Sequence, residues 1–545
     1  MNYKLLFNTL VHLKPTQAFF QVKNRVVKPR FERFVVRQGS PTGSKWLVEP
    51  IPRPKCTEGD EFTFINLKKV FKGSNCSKGS MVDWSYLEFG PLWNYNLNYF
   101  DFLNQEDNKM NQEMGCMLID DFIANIDSNI MGLDPYPIAL RGINWIKFFG
   151  RYPETMTKER VDSLYSQYRL LQKKLEYHLL GNHLLEDFYS LFIMSLFFWD
   201  TKYHQWVTRK LIDELDEEIL KDGSHYEQSV MYHCILLDRL LDCLNFALGA
   251  KGSNSSSSLN SLSFDSAQEP SSSKDLDVLK QFAVSMLGWL EAMCYEDGSF
   301  PLFNDAALGI APLPKEIFDY AKRLGIAWEK ADLKDSGYRK LYFNGSNGSN
   351  CSSGSKVIEA FVDAGNITAT YQPGHTHADA LNYELHIDGK PVVVDTGIST
   401  YNKTARRQYE RSTVAHNCVV REGATTDSSH SCYEVWGGFR VGKRCKTVVL
   451  KDTDTEITAQ HDGYGSPCKR TWKIEDGAFV VEDCFEGDAI SIVHLAEGVS
   501  PDRVKLEGAT RIEIVEEDYS TEYNRFHKGK VIKIHFNGSC RYRIK

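Results

Sequence analysis

The sequence predicts an α+β chain of more than one domain, helical first and antiparallel β-rich after. Apolar residues recur with helical spacing from about residue 95 to 340 and alternate with strand spacing from about 356 to the end. A Gly/Ser/Asn-rich tract at 344–355, NGSNGSNCSSGS, separates the two periods. At 545 residues the chain is also too long for one ordinary core. The expected divisions are an extension over 1–90 packing on the helical body, a helical domain over 91–345 and an antiparallel β-sandwich over 356–545.

The N-terminus reads MNYKLLFNTLVHLKPTQAFFQVKNRVVKPR. Polar Asn8, His12, Lys14 and Gln17 break its apolar run and no A-x-A follows, so it does not read as a secretory signal. An amphipathic helix with a basic face fits better. Such a helix could touch a membrane surface, although packing on the body is its expected fate. No apolar stretch reaches membrane-spanning length, so no transmembrane segment is expected. A cytoplasmic location follows as the expectation, with the periplasm as the alternative.

Helical patterns occupy 116–126, 138–150, 158–180, 203–220, 230–248 and 278–295. A further one spans 182–199, where Leu184, Leu185, Phe188, Leu191, Phe192 and Leu196 make a broad stripe. The stretch 252–274 is low in complexity and is expected to be a loop. In the second half, YELHIDGKPVVVD alternates around Asp388-Gly389, a strong two-residue hairpin signal. TVVLKDT, EITAQH, AFVVEDCF, RIEIVEE and VIKIHF read as further strands.

A formal net charge of -8 argues against a general nucleic-acid binder, which would show a basic footprint. It leaves room for a polyanionic substrate, because a local cationic cleft can exist on an acidic protein. The 13 cysteines include no CxxC, and the odd number leaves at least one unpaired within the chain, which favours reduced, buried thiols.

Several segments carry residues capable of chemistry. In 371–417, His377, Asp395 and His416 supply two imidazoles and a carboxylate, a ligand set zinc accepts, although histidines more often merely hydrogen-bond within a fold. In the helical half, His183 and Glu186 share a helix face just after Asn182, whose local reading is a helix cap. The segment DGSHYEQSVMYH at 222–233 places Tyr226 and Tyr232 at the start of another helix. WNYNLNYFDFL at 93–103 contains Asn98, and RGINWIKFF at 141–149 contains Arg141, Asn144 and Trp145. These two either line a carbohydrate groove or pack polar aromatics between helices. Arg406, Arg407 and Arg411 could face a cleft and bind sulfates or carboxylates, or lie on a solvated edge.

Together these segments resemble the heparinase II/III-like polysaccharide lyases. W-N-Y-N-L-N-Y-F at 93–100, R-G-I-N-W at 141–145, N-H-L-L-E at 182–186 and H-Y-E-Q-S-V-M-Y-H at 225–233 look like that family's helical half. G-H-T-H-A-D-A-L at 374–381, V-D-T-G at 394–397 and A-H-N at 415–417 look like its β-rich half, and their order is the specific part. The resemblance implies an N-terminal (α/α) toroid followed by an antiparallel β-sandwich, with an acidic polysaccharide lying between them. It implies that Asn182 helps neutralise the substrate carboxylate and that His183 and Glu186 line the same subsite. Tyr232 would transfer protons with His375 as its partner, Tyr226 being the alternative tyrosine. Beside these, Tyr226, Asn98, Arg141, Asn144, Trp145 and Arg411 are expected here to contact the polymer. His377, Asp395 and His416 match positions that hold a structural zinc, and no organic cofactor is implied.

The implied reaction is β-elimination. It removes the C5 proton of a uronic acid and expels the oxygen on C4. That proton is weakly acidic until the carboxylate is neutralised, so amide or imidazolium donors must meet the developing charge. A base and an acid then act on the two ends of the change. Tyrosine, with a reference pKa near ~10, serves as base only where cations or histidines lower it. Tyr232 is therefore expected as general acid, and as base if so lowered, with His375 as base for one uronate epimer. Two other readings stand beside this one. A glycan-binding or surface-polysaccharide assembly protein could use the same fold without catalysis. A glycoside hydrolase would need two cleft carboxylates, for which Asp187, Glu227 and Asp305 are available without any pair standing out.

Overall fold

The computed structural model describes residues 3–36, 45–72, 80–106, 111–254, 272–345, 356–423 and 431–545. Two helices, Tyr3–Leu10 and Pro15–Val26, come first, followed by a small antiparallel sheet of Thr57–Glu58, Glu61–Phe64 and Leu67–Val70. That sheet buries Phe62 against Phe102 and Phe64 against Trp93, with ring centroids 5.5 and 5.2 Å apart, so it packs on the helical half. The first helix also reaches the sheet half. Trp436 Nε1 donates to Thr9 Oγ1 at 3.1 Å, and Asn8 Nδ2 donates to Glu434 Oε2 at 2.9 Å.

The helical half contains Pro91–Tyr99, Gln112–Asn125, Pro135–Arg151, Lys158–Leu171, Gly181–Phe197, Thr201–Glu218, Val230–Asn254, Ser273–Ala292 and Pro314–Arg323. Proline opens three of them, where its fixed φ and missing N–H carry no penalty. Gly181–Phe197 is buried almost all round, which matches its apolar composition and places it centrally between the Pro135–Arg151, Thr201–Glu218 and Val230–Asn254 helices. The expected helix 158–180 stops at Leu171. Lys173 and Lys174 N–H groups donate to the carbonyls of Leu170 and Leu171, tightening the last turn and reversing the chain so that Glu176 N–H reaches Asp187. The low-complexity stretch 252–274 is helical at both edges, up to Asn254 and from Ser273, with Ser272 Oγ capping Asp275 N–H at 3.1 Å. Its remainder lies outside the described residues. No helix among the described residues is long and apolar enough to cross a membrane.

The second half is mainly one large antiparallel sheet, with Val435–Trp436 and Arg440–Val441 pairing apart from it. Along its path run Thr447–Thr453, Glu456–His461, Cys468–Glu475, Ala478–Leu495, Lys390–Val393, Tyr383–Ile387, Val357–Asp363 and Tyr338–Asn344. Arg525–Ile544 pairs with Ala478–Leu495 and carries Val504–Glu507 and Arg511–Glu522 on other edges. Its first strand, Tyr338–Asn344, precedes the Gly/Ser/Asn tract, so sheet begins before the expected boundary; most of the tract is outside the described residues. The hairpin forms where expected, with Asp388 and Gly389 at φ 53° and 68°, as a type I′ turn requires. AFVVEDCF proves to be the first part of an 18-residue strand that shifts register between Phe485 and Asp488. Each half has a main apolar core, the helical one extending to Tyr338, Phe361, Ile398 and Tyr523 of the sheet half, and buried polar bonds also join them. Leu302 N–H donates to Glu384 at 2.8 Å and His377 N–H to Asn304 Oδ1 at 2.9 Å.

Candidate active site

A cleft of about 730 Å³ lies between the halves. Asn182, His183 and Tyr232 face it from the helices, and His375, Tyr401 and Phe439 from the sheet side. Asn182 sits in the first turn of its helix rather than at the cap, because Leu180 and Gly181 adopt φ of 62° and 61° and swing the chain inward. A Cβ on Gly181 would stand 2.5 Å from Glu227 Oε1, so only glycine lets this turn close on the Glu227 carboxylate.

Asn182 Nδ2 donates to Glu227 Oε2 and to His375 Nε2, both at 3.0 Å. His375 Nε2 is then an acceptor, and its proton sits on Nδ1, which donates to Asp305 Oδ2 at 2.9 Å. Asp305 is fully buried and also accepts from His377 Nε2 at 2.8 Å and from both terminal nitrogens of Arg407. Burial alone would raise its pKa, but the Arg407 guanidinium and the two histidines hold it well below the usual carboxylate range. A permanent anion thus fixes the tautomer and aim of His375.

The Tyr232 ring lies 3.9 Å from the His375 ring, centroid to centroid, and its hydroxyl is 3.0 Å from that of Tyr401. The Tyr401 hydroxyl is in turn 3.4 Å from His375 Nδ1. Burial drives the Tyr232 phenol far above its ordinary pKa, so it rests protonated. His183 Nδ1 meets Glu176 Oε2 at 3.0 Å. Burial would lower the pKa of this imidazole, but the Glu176 carboxylate outweighs it and raises it.

The family model for the heparinase II/III N-terminus matches residues 153–258, and that for the heparinase II/III-like C-terminal region matches 326–507, together just over half of the chain. The chain belongs to the heparinase II/III-like family. Its fold is similar to a crystal structure of heparinase III, with a TM-score of 0.58 at 13% identity over 100% of this chain and 92% of that one. It is also similar to a mutant of heparan sulfate lyase HepC from Pedobacter heparinus (TM-score 0.53, 15% identity, 97% and 88% covered). A heparinase III described as the BT4657 gene product matches too (TM-score 0.54, 14% identity, 85% and 80% covered). Among curated protein sequences there is no match.

In this family member the two candidate tyrosines are separated by burial. Tyr232 lines the cleft, whereas Tyr226 lies behind it, its ring 5.8 Å from that of Tyr371. Glu186 is also behind the wall, 3.6 Å from Arg239 Nε, and burial pushes its carboxyl up to about 7 against the pull of that guanidinium. Asn98, Arg141, Asn144 and Trp145 do not line the cleft; they brace it. Arg141 donates to Gln167 and to the carbonyls of Asn98 and Gly132, while Asn144 Nδ2 donates to the Tyr99 carbonyl and Asp101, both residues of the wall. Trp145 is fully buried, edge-on to Phe100 and Phe122. Arg411 is equally internal, donating to the Thr376 carbonyl at 2.8 Å and so holding the His375–His377 loop.

His377, Asp395 and His416 gather behind His375. His416 Nδ1 is 2.8 Å from Asp395 Oδ2, and the two imidazole rings are 5.2 Å apart. His377 Nδ1 and His416 Nε2 are buried without hydrogen-bond partners, the kind of donor a metal takes up. Among the described residues, however, no group of three His, Cys, Asp or Glu side chains is gathered as an ion-binding set. Residue pattern alone left Tyr401 and the linkage of Asp305 to Arg407 unseen. Tyr401, four residues beyond V-D-T-G, had a usable signal in its position; Asp305, 70 residues from His375, had none.

Proposed function

We propose that this protein is a polysaccharide lyase that cleaves a uronic-acid-containing polymer, glycosaminoglycan-like or capsular, by β-elimination in this cleft. One observation supports the reading above all: the Tyr232 hydroxyl, the His375 imidazole and the Asn182 amide converge on one stretch of wall built by both halves. We read those halves as the α/α toroid and β-sandwich of the family. The substrate carboxylate sits against Asn182 and the His183 imidazole. It takes the hydrogen that Asn182 otherwise gives to His375 Nε2, leaving that nitrogen open to accept the C5 proton. Asp305 stabilises the imidazolium so formed. Tyr232, protonated at rest, gives its proton to the departing O4, and the Tyr401 hydroxyl donates to the phenolate so formed. When the product leaves, His375 Nε2 releases the C5 proton to solvent and the phenolate takes one up, which restores the starting state. The elevated Tyr232 pKa favours the acid role and leaves the base role to His375.

A hydrolase reading finds less support, because Asp305 is committed to Arg407 and two histidines, and Asp187 accepts the Glu176 N–H behind the wall. The test is to mix purified protein with a panel of uronic-acid polymers and follow the ultraviolet absorbance of the unsaturated product, with Tyr232→Phe as control. New reducing ends without absorbance would make it a hydrolase. Polymer binding without any product would make it a glycan-binding protein. For His377, Asp395 and His416 we propose a structural zinc, joined to the site through the Asp305 carboxylate that His375 and His377 share and outside every step above. Elemental analysis and thermal stability with a chelator check it; metal-free protein insensitive to the chelator overturns it.

A further inference from the structure

The first two helices are amphipathic the wrong way round. In Tyr3–Leu10, Tyr3, Phe7 and Leu10 fall on one face and are 77%, 67% and 51% exposed. In Pro15–Val26, Phe19, Val22 and Val26 share a face and are 63%, 62% and 78% exposed, while the buried residue is Gln17. Polar groups hold these helices to the body, together with Phe20, whose ring centroid lies 4.8 Å from that of Tyr177. Gln17 Nε2 donates to the carbonyls of Leu179 and Tyr371 at 3.1 and 3.3 Å, and Asn8 and Thr9 bond to Glu434 and Trp436. Folding by itself would bury Phe7, Phe19, Val22 and Val26, as it half-buries Phe20, and would expose the glutamine. An apolar face anchored outward by amides answers to something outside the chain.

Charge identifies what that is. Between residues 3 and 31 there are six Lys or Arg and no Asp or Glu, in a chain whose net charge is -8. Lys23, Arg25, Lys28 and Arg30 are exposed at and just beyond the end of the second helix. Lys14 has a different use, pairing with Glu217. Apolar side chains flanked by cations alone are what a segment lying in the headgroup plane of an anionic bilayer requires. A polyanionic sugar would use the cations but not the apolar face. A second copy would bring like charges against like.

We propose that the Tyr3–Leu10 and Pro15–Val26 helices dock the protein peripherally on an anionic lipid surface, with Phe7, Leu10, Phe19 and Val22 in the interface and Arg25, Lys28 and Arg30 at the headgroups. Docking would also place the cleft. Leu179, which accepts from Gln17, lines it, as does Gln372 next to Tyr371. The membrane-bound chain therefore holds its cleft rim beside the bilayer, and this inference does not depend on the reaction performed there.

The experiment is co-sedimentation of the full chain with phosphatidylcholine vesicles with and without phosphatidylglycerol. Wild type should pellet with the anionic vesicles only, and less so as salt rises. Phe19→Asp/Val22→Asp and Arg25→Glu/Lys28→Glu/Arg30→Glu should each lower partitioning roughly tenfold or more. All these positions are exposed, so unchanged melting curves and unchanged behaviour toward soluble polymers are expected. Wild type remaining in the supernatant with anionic vesicles overturns the proposal, as does undiminished binding by the Phe19→Asp/Val22→Asp variant. A dimer in sedimentation velocity that Phe19→Asp/Val22→Asp dissociates, without vesicle binding, would reassign the face to self-association. Loss of binding to a soluble uronate polymer in the charge-reversed variant alone, again without vesicle binding, would reassign it to the polysaccharide.

Discussion

The two walls of the cleft are built on different principles. The helical wall offers Asn182 and Tyr232 from the first turns of long buried helices, so its side chains inherit their aim from elements fixed by apolar packing. The sheet wall offers His375 and Tyr401 from segments outside any strand, aimed by a buried ionic cluster of Asp305, Arg407 and His377. A wall made from helix starts tolerates change in its polar residues, because the backbone holds without them. A wall hung on one buried carboxylate does not. Removing one partner leaves the other charge desolvated and alone.

Four outcomes would break or sharpen that contrast, and the first concerns chemistry. On the helical wall, Tyr232→Phe should lower turnover by roughly 10³-fold with the unfolding curve unmoved. A variant that turns over normally refutes the acid assignment. On the sheet wall, Asp305→Asn should cost about 3–5 kcal/mol of stability in urea unfolding as well as activity, since it leaves Arg407 buried and unpaired. Because the Asp305 pKa is depressed on folding, its contribution is present above the ordinary carboxylate pKa, 3.8, and is lost as pH falls through the folded value. The wild-type acid-unfolding curve should therefore be steeper than the variant's; superimposable curves would deny Asp305 its role.

Behind the helical wall, Arg141→Ala should destabilise by about 2–3 kcal/mol through its lost hydrogen bonds and leave KM unchanged. Its guanidinium touches carbonyls and an amide but no carboxylate, and burial lowers its pKa to about 9. A raised KM with normal stability would return it to the groove. The smallest effect belongs to His183. Its raised pKa means that its contribution is complete below the ordinary value, 6.5, and fades as pH rises through the folded one. With 32% of the side chain exposed, the change in stability should stay under about 1 kcal/mol. Histidine NMR titration of wild type against His183→Gln reads it directly, and a value below 6.5 would reverse the sign.

The helical wall was also the more legible of the two. N-H-L-L-E and M-Y-H stand at the heads of apolar stripes, so their position at helix starts follows from spacing. Yet the same spacing misread Asn182 as a cap, because it cannot show that Leu180 and Gly181 turn left-handed ahead of it. It also could not divide groove from brace. Arg141, Asn144 and Trp145 lie on a buried face, and periodicity does not say whether a buried face meets a cleft or another helix. On the sheet wall the histidines were visible as residue types, but Asp305 lies in an irregular stretch with no pattern to mark it.

The amino-acid sequence by itself determined the order of helix and strand, the Asp388-Gly389 hairpin and the family motifs, because each is written in spacings of a few residues. Tertiary structure alone decided that Tyr232 rather than Tyr226 meets the cleft, that Asp305 aims His375, and that Gln17 is buried while Phe19 is not. The reason is one of range. Local spacing encodes which side of an element is apolar, whereas a side chain's neighbours at hydrogen-bond distance come from elsewhere. Asn182 and His375 are 193 residues apart in sequence and 3.0 Å apart in space, and only the packing of the two halves brings them there.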